Sequence, residues 1–162
     1  MKSVTALLLL GANLGRRERT LARAVAALRR LPGVRVTKVS RLYETAPVGP
    51  SAEPYLNQAV RLETTRTPMG LLIEAKILEA AAGRRPGRRW GARVLDADLV
   101  AYGDAKIRTP WLTVPHPLAH ARAFALAPLS EVAPEWRLRG RTIAARLAAM
   151  GPAPEAVRLH RL

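Results

Sequence analysis

The sequence predicts one domain of mixed strands and helices, and three observations predict it. The chain has 162 residues, one domain's length and enough to bury roughly 70% of its unfolded surface. Hydrophobic residues make up 49% of it, so a packed core can form and disorder is excluded. The apolar pattern changes period along the chain, from runs that are continuous or alternate by two to runs that recur at helical spacing. No repeat or low-complexity tract divides it, so residues 1–162 read as a single domain.

Residues 4–10 are a continuous apolar run, short enough for a buried strand. Gly11, Asn13 and Gly15 follow as a turn whose backbone can approach another group closely. Over 18–31, Leu21, Val25, Leu28 and Leu31 recur at helical spacing with arginines opposite, and Pro32-Gly33 ends that helix. Residues 34–44 are β-branched and mostly alternating, a strand with a phase slip near 37–39 that fits a bulge. The Pro/Gly-rich stretch 45–54 is longer than a hairpin needs and has the makeup of a lid or binding loop. Strand 55–63 sets Tyr55 and Asn57 on one face and Leu56, Val60 and Leu62 on the other. Thr67-Pro68 opens a second helix that Gly83 closes, with Leu71, Leu72, Ala75, Leu78 and Ala82 as its buried stripe. Lys76 and Glu79 fall near one another on its surface as a solvated pair.

The run 94–102 alternates by two and reads as a strand. Leu95, Ala97, Leu99 and Ala101 point to one face, and Val94, Asp96, Asp98 and Val100 to the other. Gly103-Asp104 turns the chain, and 105–108 returns as a short strand. His116 stands between two prolines, pinned as a positioned donor or proton carrier, or merely at a surface turn. Residues 119–132 have helical composition broken at Pro128, with Arg122 and Phe124 just after the His loop. Thr142 caps a last short helix, with Ile143, Leu147 and Met150 inward.

Asp96 and Asp98 project side by side from one strand face, where like charges disfavour joint ionisation. A hard cation such as Mg²⁺ relieves that, taking one or two carboxylates plus substrate phosphates. Arg84, Arg85, Arg88, Arg89 and Arg93 crowd the same stretch. Carboxylates for metal beside guanidiniums for phosphate are the parts of a nucleotide phosphoryl-transfer site. A bare D-x-D is also what a solvated strand face neutralised by arginine looks like; the Gly-Arg loop and the Trp90-Gly91 pair favour the site.

Composition bounds the partners. Lys and Arg number 27 against 12 Asp and Glu, a net charge of +15 that attracts polyanions. Arg outnumbers Lys 23 to 4, prolines number 13 and Asn plus Gln only three, the makeup of a heat-tolerant protein, so part of the charge is background. The lack of cysteine excludes disulfides, thiolate zinc and a cysteine nucleophile. Three histidines, none paired at ligand spacing beside carboxylates, exclude a zinc centre. No apolar run reaches membrane-spanning length, and the N-terminus lacks a signal-peptide cleavage pattern. The expectation is a cytoplasmic protein that binds no membrane. Seven aromatics without an interleaved basic stripe weigh against nucleic acid. The residues alone leave three classes open: a nucleotide-dependent transferase, a basic nucleic-acid-binding module, and a two-metal nuclease or phosphatase on Asp96 and Asp98.

The run Arg89-Trp90-Gly91-Ala92-Arg93-Val94-Leu95-Asp96-Ala97-Asp98-Leu99 resembles the signature of the 6-hydroxymethyl-7,8-dihydropterin pyrophosphokinase family. Val114-Pro115-His116-Pro117 with Arg122-Ala123-Phe124, Pro54-Tyr55-Leu56-Asn57, Thr45-Ala46-Pro47-Val48-Gly49 and Leu10-Gly11-Ala12-Asn13-Leu14-Gly15 extend the resemblance over most of the chain. It implies an α+β fold with a ferredoxin-like antiparallel sheet core flanked by helices. It implies transfer of pyrophosphate from ATP to the pterin's hydroxymethyl group, with release of AMP. The expectation for partners is a monomer that binds these small molecules and no nucleic acid. On that pattern Asp96 and Asp98 hold two Mg²⁺, and Arg84 and Arg93 neutralise the transferring phosphates. Tyr55 and Phe124 sandwich the pterin, with Asn57 reading its edge and Gly11, Thr45, Val48 and Trp90 completing the pocket. Lys76, Trp90, Leu99, Thr113, His116 and Arg122 join Arg84 and Arg93 on the ATP side. The chain departs from the family pattern at Ala12, Ala92 and Ala97, and at Trp111, where a basic residue can help bind ATP.

Overall fold

The first strand, β1 (Val4–Ala12), is buried along most of its length because Ala6 to Leu10 offer no polar side chain to water. Such a run suits only a central strand covered on both faces. In this computed structural model, which describes residues 2–46, 53–84, 93–152 and 157–161, β1 occupies that place. It lies antiparallel between β4 (Tyr55–Thr64) and β5 (Asp96–Tyr102). Beyond β4 an edge strand runs in two pieces, β2 (Val34–Val39) and β3 (Tyr43–Thr45). Helices α1 (Arg17–Arg30) and α2 (Pro68–Ala81) fill the connections, giving the expected βαββαβ, ferredoxin-like order.

Alternate residues of β1 feed two cores. Ala6, Leu8, Leu10 and Ala12 pack with Leu21, Leu28 and Leu71 from α1 and α2. Leu7 and Leu9 pack on the opposite face with Leu126 and Leu129 of α3 (Ala123–Val132). The small hairpin β6 (Ile107–Arg108) and β7 (Thr113–Val114) adds Leu112 and Val114 to the first core. The hairpin β8 (Arg137–Leu138) and β9 (Arg141–Thr142), with α4 (Ile143–Ala148), closes the second. A last strand, β10 (Arg158–Leu159), pairs with β3 at the sheet's outer edge. Among the described residues no helix is long and apolar enough to cross a membrane.

The caps fall where expected: Thr67 accepts from the Gly70 amide and Thr142 from the Ala145 amide, each at 3.1 Å. Four expectations need correction. The 34–44 strand is interrupted as well as bulged. Its register against β4 shifts between Val36 and Lys38, and at Ser40 the hydroxyl accepts the Ala59 amide at 2.9 Å while the Ser40 amide donates to Ala59's carbonyl. In β5, Val100 and Ala101 both enter the α3-side core, although alternation assigned them to opposite faces. The cause is a bulge: Leu8 pairs with Leu99 and Leu7 with Ala101, leaving Val100 as the extra residue. The β6 strand pairs with β7 instead of returning along β5. Finally, α3 runs through Pro128 to Val132, and the break comes earlier, at Arg122, which is extended after a 3₁₀ turn over Ala119–Ala121. Pro128 removes one helical donor, but a helix buried along most of its length is held by packing.

Candidate active site

Residues facing each other across antiparallel strands project to the same side of a sheet. Register therefore assembles a row across four strands: Tyr43 opposite Asn57, Asn57 opposite Gly11, Gly11 opposite Asp96. Thr45 pairs with Tyr55 and Leu9 with Asp98 on the same side. This is the face that α3 covers at Leu7, Leu9 and Ala59. Past α3 the floor becomes polar. Gly11, Thr45, Tyr55, Asn57, Asp96 and Asp98, drawn from four segments of sequence, share that floor.

Gly11 keeps clearance for Asn57, since a Cβ there would lie 3.2 Å from Asn57 Oδ1 and press on it by a few tenths of an ångström. Asn57, only 4% exposed, donates through Nδ2 to Thr45 Oγ1 at 3.2 Å, so a buried polar pair fixes this corner. At the other end a cavity is lined by Asp98, His116, Arg122 and Phe124 together with Leu9, Val100, Ala119 and Ala125. The Arg122 guanidinium carbon lies 5.6 Å from the centre of the Phe124 ring, within cation–π range. His116 is anchored by its amide, which donates to Val100's carbonyl at 2.8 Å. Burial first, and then the Arg122 charge, hold its pKa below the usual imidazole value. Its Nδ1 accepts from the Leu118 amide at 3.2 Å, so the neutral ring keeps its proton on Nε2 as a donor.

The two aspartates differ. Asp96 Oδ1 accepts from Arg93 Nη1 at 3.0 Å and from Arg84 Nη1 at 3.3 Å. Asp98 is pushed up to about 6, by burial first and then by the Asp96 charge. The pair is short of countercharge at Asp98. Among the described residues no cluster of three acidic or histidine side chains forms a metal cage.

Two positioning residues escaped the sequence reading. Asn13, fully buried, accepts the Arg93 amide at 2.7 Å through Oδ1, while its own amide donates to Arg93's carbonyl at 3.1 Å. It fixes the chain where the arginine enters the site. Glu79 is buried under β5 and is not half of a solvated pair. It accepts from Lys76 Nζ at 3.0 Å, from Arg84, and from the Ala97 amide at 2.9 Å. A signal for it was present, since Glu79 is four residues after Ala75 and falls on the helix's apolar stripe.

Leu99 lies away from this face, and Lys76 acts on it through its charge, which favours ionised Asp98. Lys76 joins Glu79 on α2, and Leu99's side chain is in the core toward α1 and α2, so only its main chain can meet a ligand at the edge of β5. Thr113 is in β7, three residues before His116. Val48 and Trp90, with Arg85, Arg88 and Arg89, lie outside the described residues.

The family model for 7,8-dihydro-6-hydroxymethylpterin-pyrophosphokinase matches residues 7–134, which span β1 to the end of α3. The chain belongs to this pyrophosphokinase family. It is 42% identical over 144 residues to the 2-amino-4-hydroxy-6-hydroxymethyldihydropteridine pyrophosphokinase of Methylorubrum extorquens, covering 88% of this chain and 91% of that one. With the enzyme of the same name from Bacillus subtilis it shares 44% over 124 residues, 76% of this chain and 74% of the relative. A solved structure of an HPPK-DHPS protein in complex with substrates matches at a TM-score of 0.74 and 12% identity. That match covers 92% of this chain but 43% of the larger one, and it shows the pyrophosphokinase fold alone.

Proposed function

We infer that this chain transfers pyrophosphate from ATP to the hydroxymethyl group of 6-hydroxymethyl-7,8-dihydropterin, releasing AMP, a step of folate biosynthesis. One observation carries the reading at the level of residues. Sheet register gathers Gly11, Thr45, Tyr55 and Asn57 beside Asp96 and Asp98 on one face of the sheet.

On this reading the pterin ring lies between Tyr55 and Phe124, and Asn57, held by Thr45, reads its edge. Val48 and Trp90 complete that pocket in the proposal. The triphosphate takes the guanidiniums of Arg84 and Arg93, whose planar forks hold the β- and γ-phosphates as one unit. Neutral His116 donates from Nε2, and Arg122 adds charge on the ATP side. Thr113, Lys76 and the main chain of Leu99 complete that side in the proposal. Mg²⁺ fits the donor set, because two carboxylates suit an ion that shares substrate phosphates better than a resident all-protein cage. Asp96 and Asp98 would hold two such ions, which when bound supply neutralisation of phosphate charge. Phosphoryl transfer needs mainly in-line positioning and charge neutralisation, so the want of a strong base at the alcohol is no obstacle. The protein acts as a cytoplasmic monomer on small molecules and needs no nucleic acid, which light scattering coupled to gel filtration checks for the monomer.

The test is the fate of a label on the β-phosphorus of ATP. Labelled pterin product and unlabelled AMP, in equal amounts and only with pterin present, are expected. Label in ADP would make the chain a γ-transferring kinase, and label released without pterin would make it a hydrolase.

A further inference from the structure

We propose that Arg17 is a positioning residue for pterin binding: it clamps the two strands that flank residues 46–54 to helix α1, and the C-terminal strand β10 locks its partner Glu44. The inference rests on the assignment of Thr45, Tyr55 and Asn57 to the pterin.

Arg17 is the first residue of α1, and its neighbour at the N-cap, Arg16, makes no side-chain cap bond. Local physics disfavours a cation there, because the N-terminus is the positive end of the helix dipole. Its long-range partners give the reason for it. Arg17 Nη1 donates to the Pro54 carbonyl at 2.6 Å, and Nη2 lies 3.6 Å from Glu44 Oε2. Glu44 immediately precedes Thr45 and Pro54 immediately precedes Tyr55, and Thr45 and Tyr55 face each other across the strands. One planar guanidinium thus grips both strands where the chain leaves the sheet and returns to it, a geometry that a single ammonium cannot match. Glu44 faces the α1 side, paired with Leu56. The clamp therefore acts from beneath the sheet, while the Asn57–Thr45 bond holds the same corner from above.

Glu44 is itself held from the C-terminus. Arg158 Nη2 donates to its Oε1 at 2.7 Å, and His160 Nδ1 lies 3.6 Å from its Oε2. His160 Nε2 also lies 2.9 Å from Glu18 Oε1, and its amide donates to Leu42's carbonyl at 2.9 Å. The side chains of Arg17, Glu44 and His160 are 19%, 14% and 17% exposed, so the contacts among these three are screened less than open surface pairs, whereas Arg158 reaches Glu44 from solvent. A base fixed in advance leaves less ordering for the ligand to do when Thr45 and Tyr55 engage it.

The test uses Arg17→Met in the full chain, with Tyr55→Ala as reference, and reads affinities for hydroxymethyl-dihydropterin and for ATP together with kcat. Arg17→Met is expected to weaken pterin binding roughly three- to tenfold, the cost of ordering one or two side chains anew. ATP affinity, and kcat at saturating pterin, stay within about twofold, a split that general destabilisation would not produce. Glu44→Gln shifts pterin affinity in the same direction, and the double variant loses less than the product of the two single losses, because Arg17 and Glu44 share a contact. If Arg17→Met fails to fold, Arg17→Lys, able to reach one partner only, gives the same readout. Unchanged pterin affinity, or equal losses for both ligands, overturns the clamp. If Tyr55→Ala leaves pterin affinity intact, it is the pterin assignment that fails.

Discussion

Replacing Asp98 with asparagine should make the metal-free protein more stable while ending its chemistry. The side chain keeps its size, so what changes is the charge. Its carboxyl is pushed from an ordinary 3.8 up to about 6, chiefly by burial and next by Asp96. Below the unfolded value both states are protonated and Asp98 carries no penalty. Between the two values the folded state holds the proton that the unfolded chain has lost, so stability falls as pH rises. Above about 6 the folded protein carries the whole penalty. At about 1.4 kcal/mol per pH unit this reaches at most about 3 kcal/mol, and residual exposure of the carboxylate brings it nearer 1–2 kcal/mol. For a chain of this size that is a rise in Tm of roughly 3–6 °C for Asp98→Asn. Thermal unfolding in EDTA should show the gain at about pH 8 and little of it near pH 4. Adding Mg²⁺ with a non-hydrolysable ATP analogue should raise the parent's Tm and leave the variant's nearly unmoved. A variant less stable than the parent at about pH 8, or a gain independent of pH, would refute the reasoning.

Three further outcomes are expected. Tyr55→Ala and Phe124→Ala should each cost about 1–3 kcal/mol in pterin affinity, by analogy with base–aromatic stacking, and much less for ATP; calorimetric titration of both ligands decides it. Glu79→Ala should destabilise the fold by about 1–3 kcal/mol in urea unfolding, because the Ala97 amide loses its acceptor and Arg84 and Lys76 lose theirs, and Glu79→Gln should lose less by still serving that amide. Asn13→Ala should cost about 1–3 kcal/mol of stability and lower kcat as well, since it frees the backbone that aims Arg93; a kcat equal to the parent's would remove its positioning role.

What was legible in the sequence was what local physics decides. The unbroken apolar run of β1 could only be a central strand, and Thr67 and Thr142 announce the helices they cap by residue type alone. The Asp96–Asp98 pair on one strand face and the Tyr55–Asn57 pair on another follow from the period of two, and both hold. Partnership across long separations was not legible. The bulge at Val100 is a matter of register with β1, and no pattern inside β5 announces it. Asn13 works on a residue 80 positions away, so as part of a turn it looked like punctuation. Pro128 misled because its cost is local and the packing that overrides it is not.

The carboxylate of Glu79 has a consequence for life in a crowded solution. Among the described residues β5 ends the sheet, and such a rim offers its unused amides to any extended chain that drifts by. Here the Ala97 amide is already taken by a group rooted in the neighbouring helix and braced by two cations. A passing strand would have to displace that acceptor before it could add to the edge, and would cost a buried carboxylate one of its hydrogen bonds in doing so. The side chain that steadies the rim beside the aspartates thus also guards the folded protein against growing, strand by strand, into an aggregate.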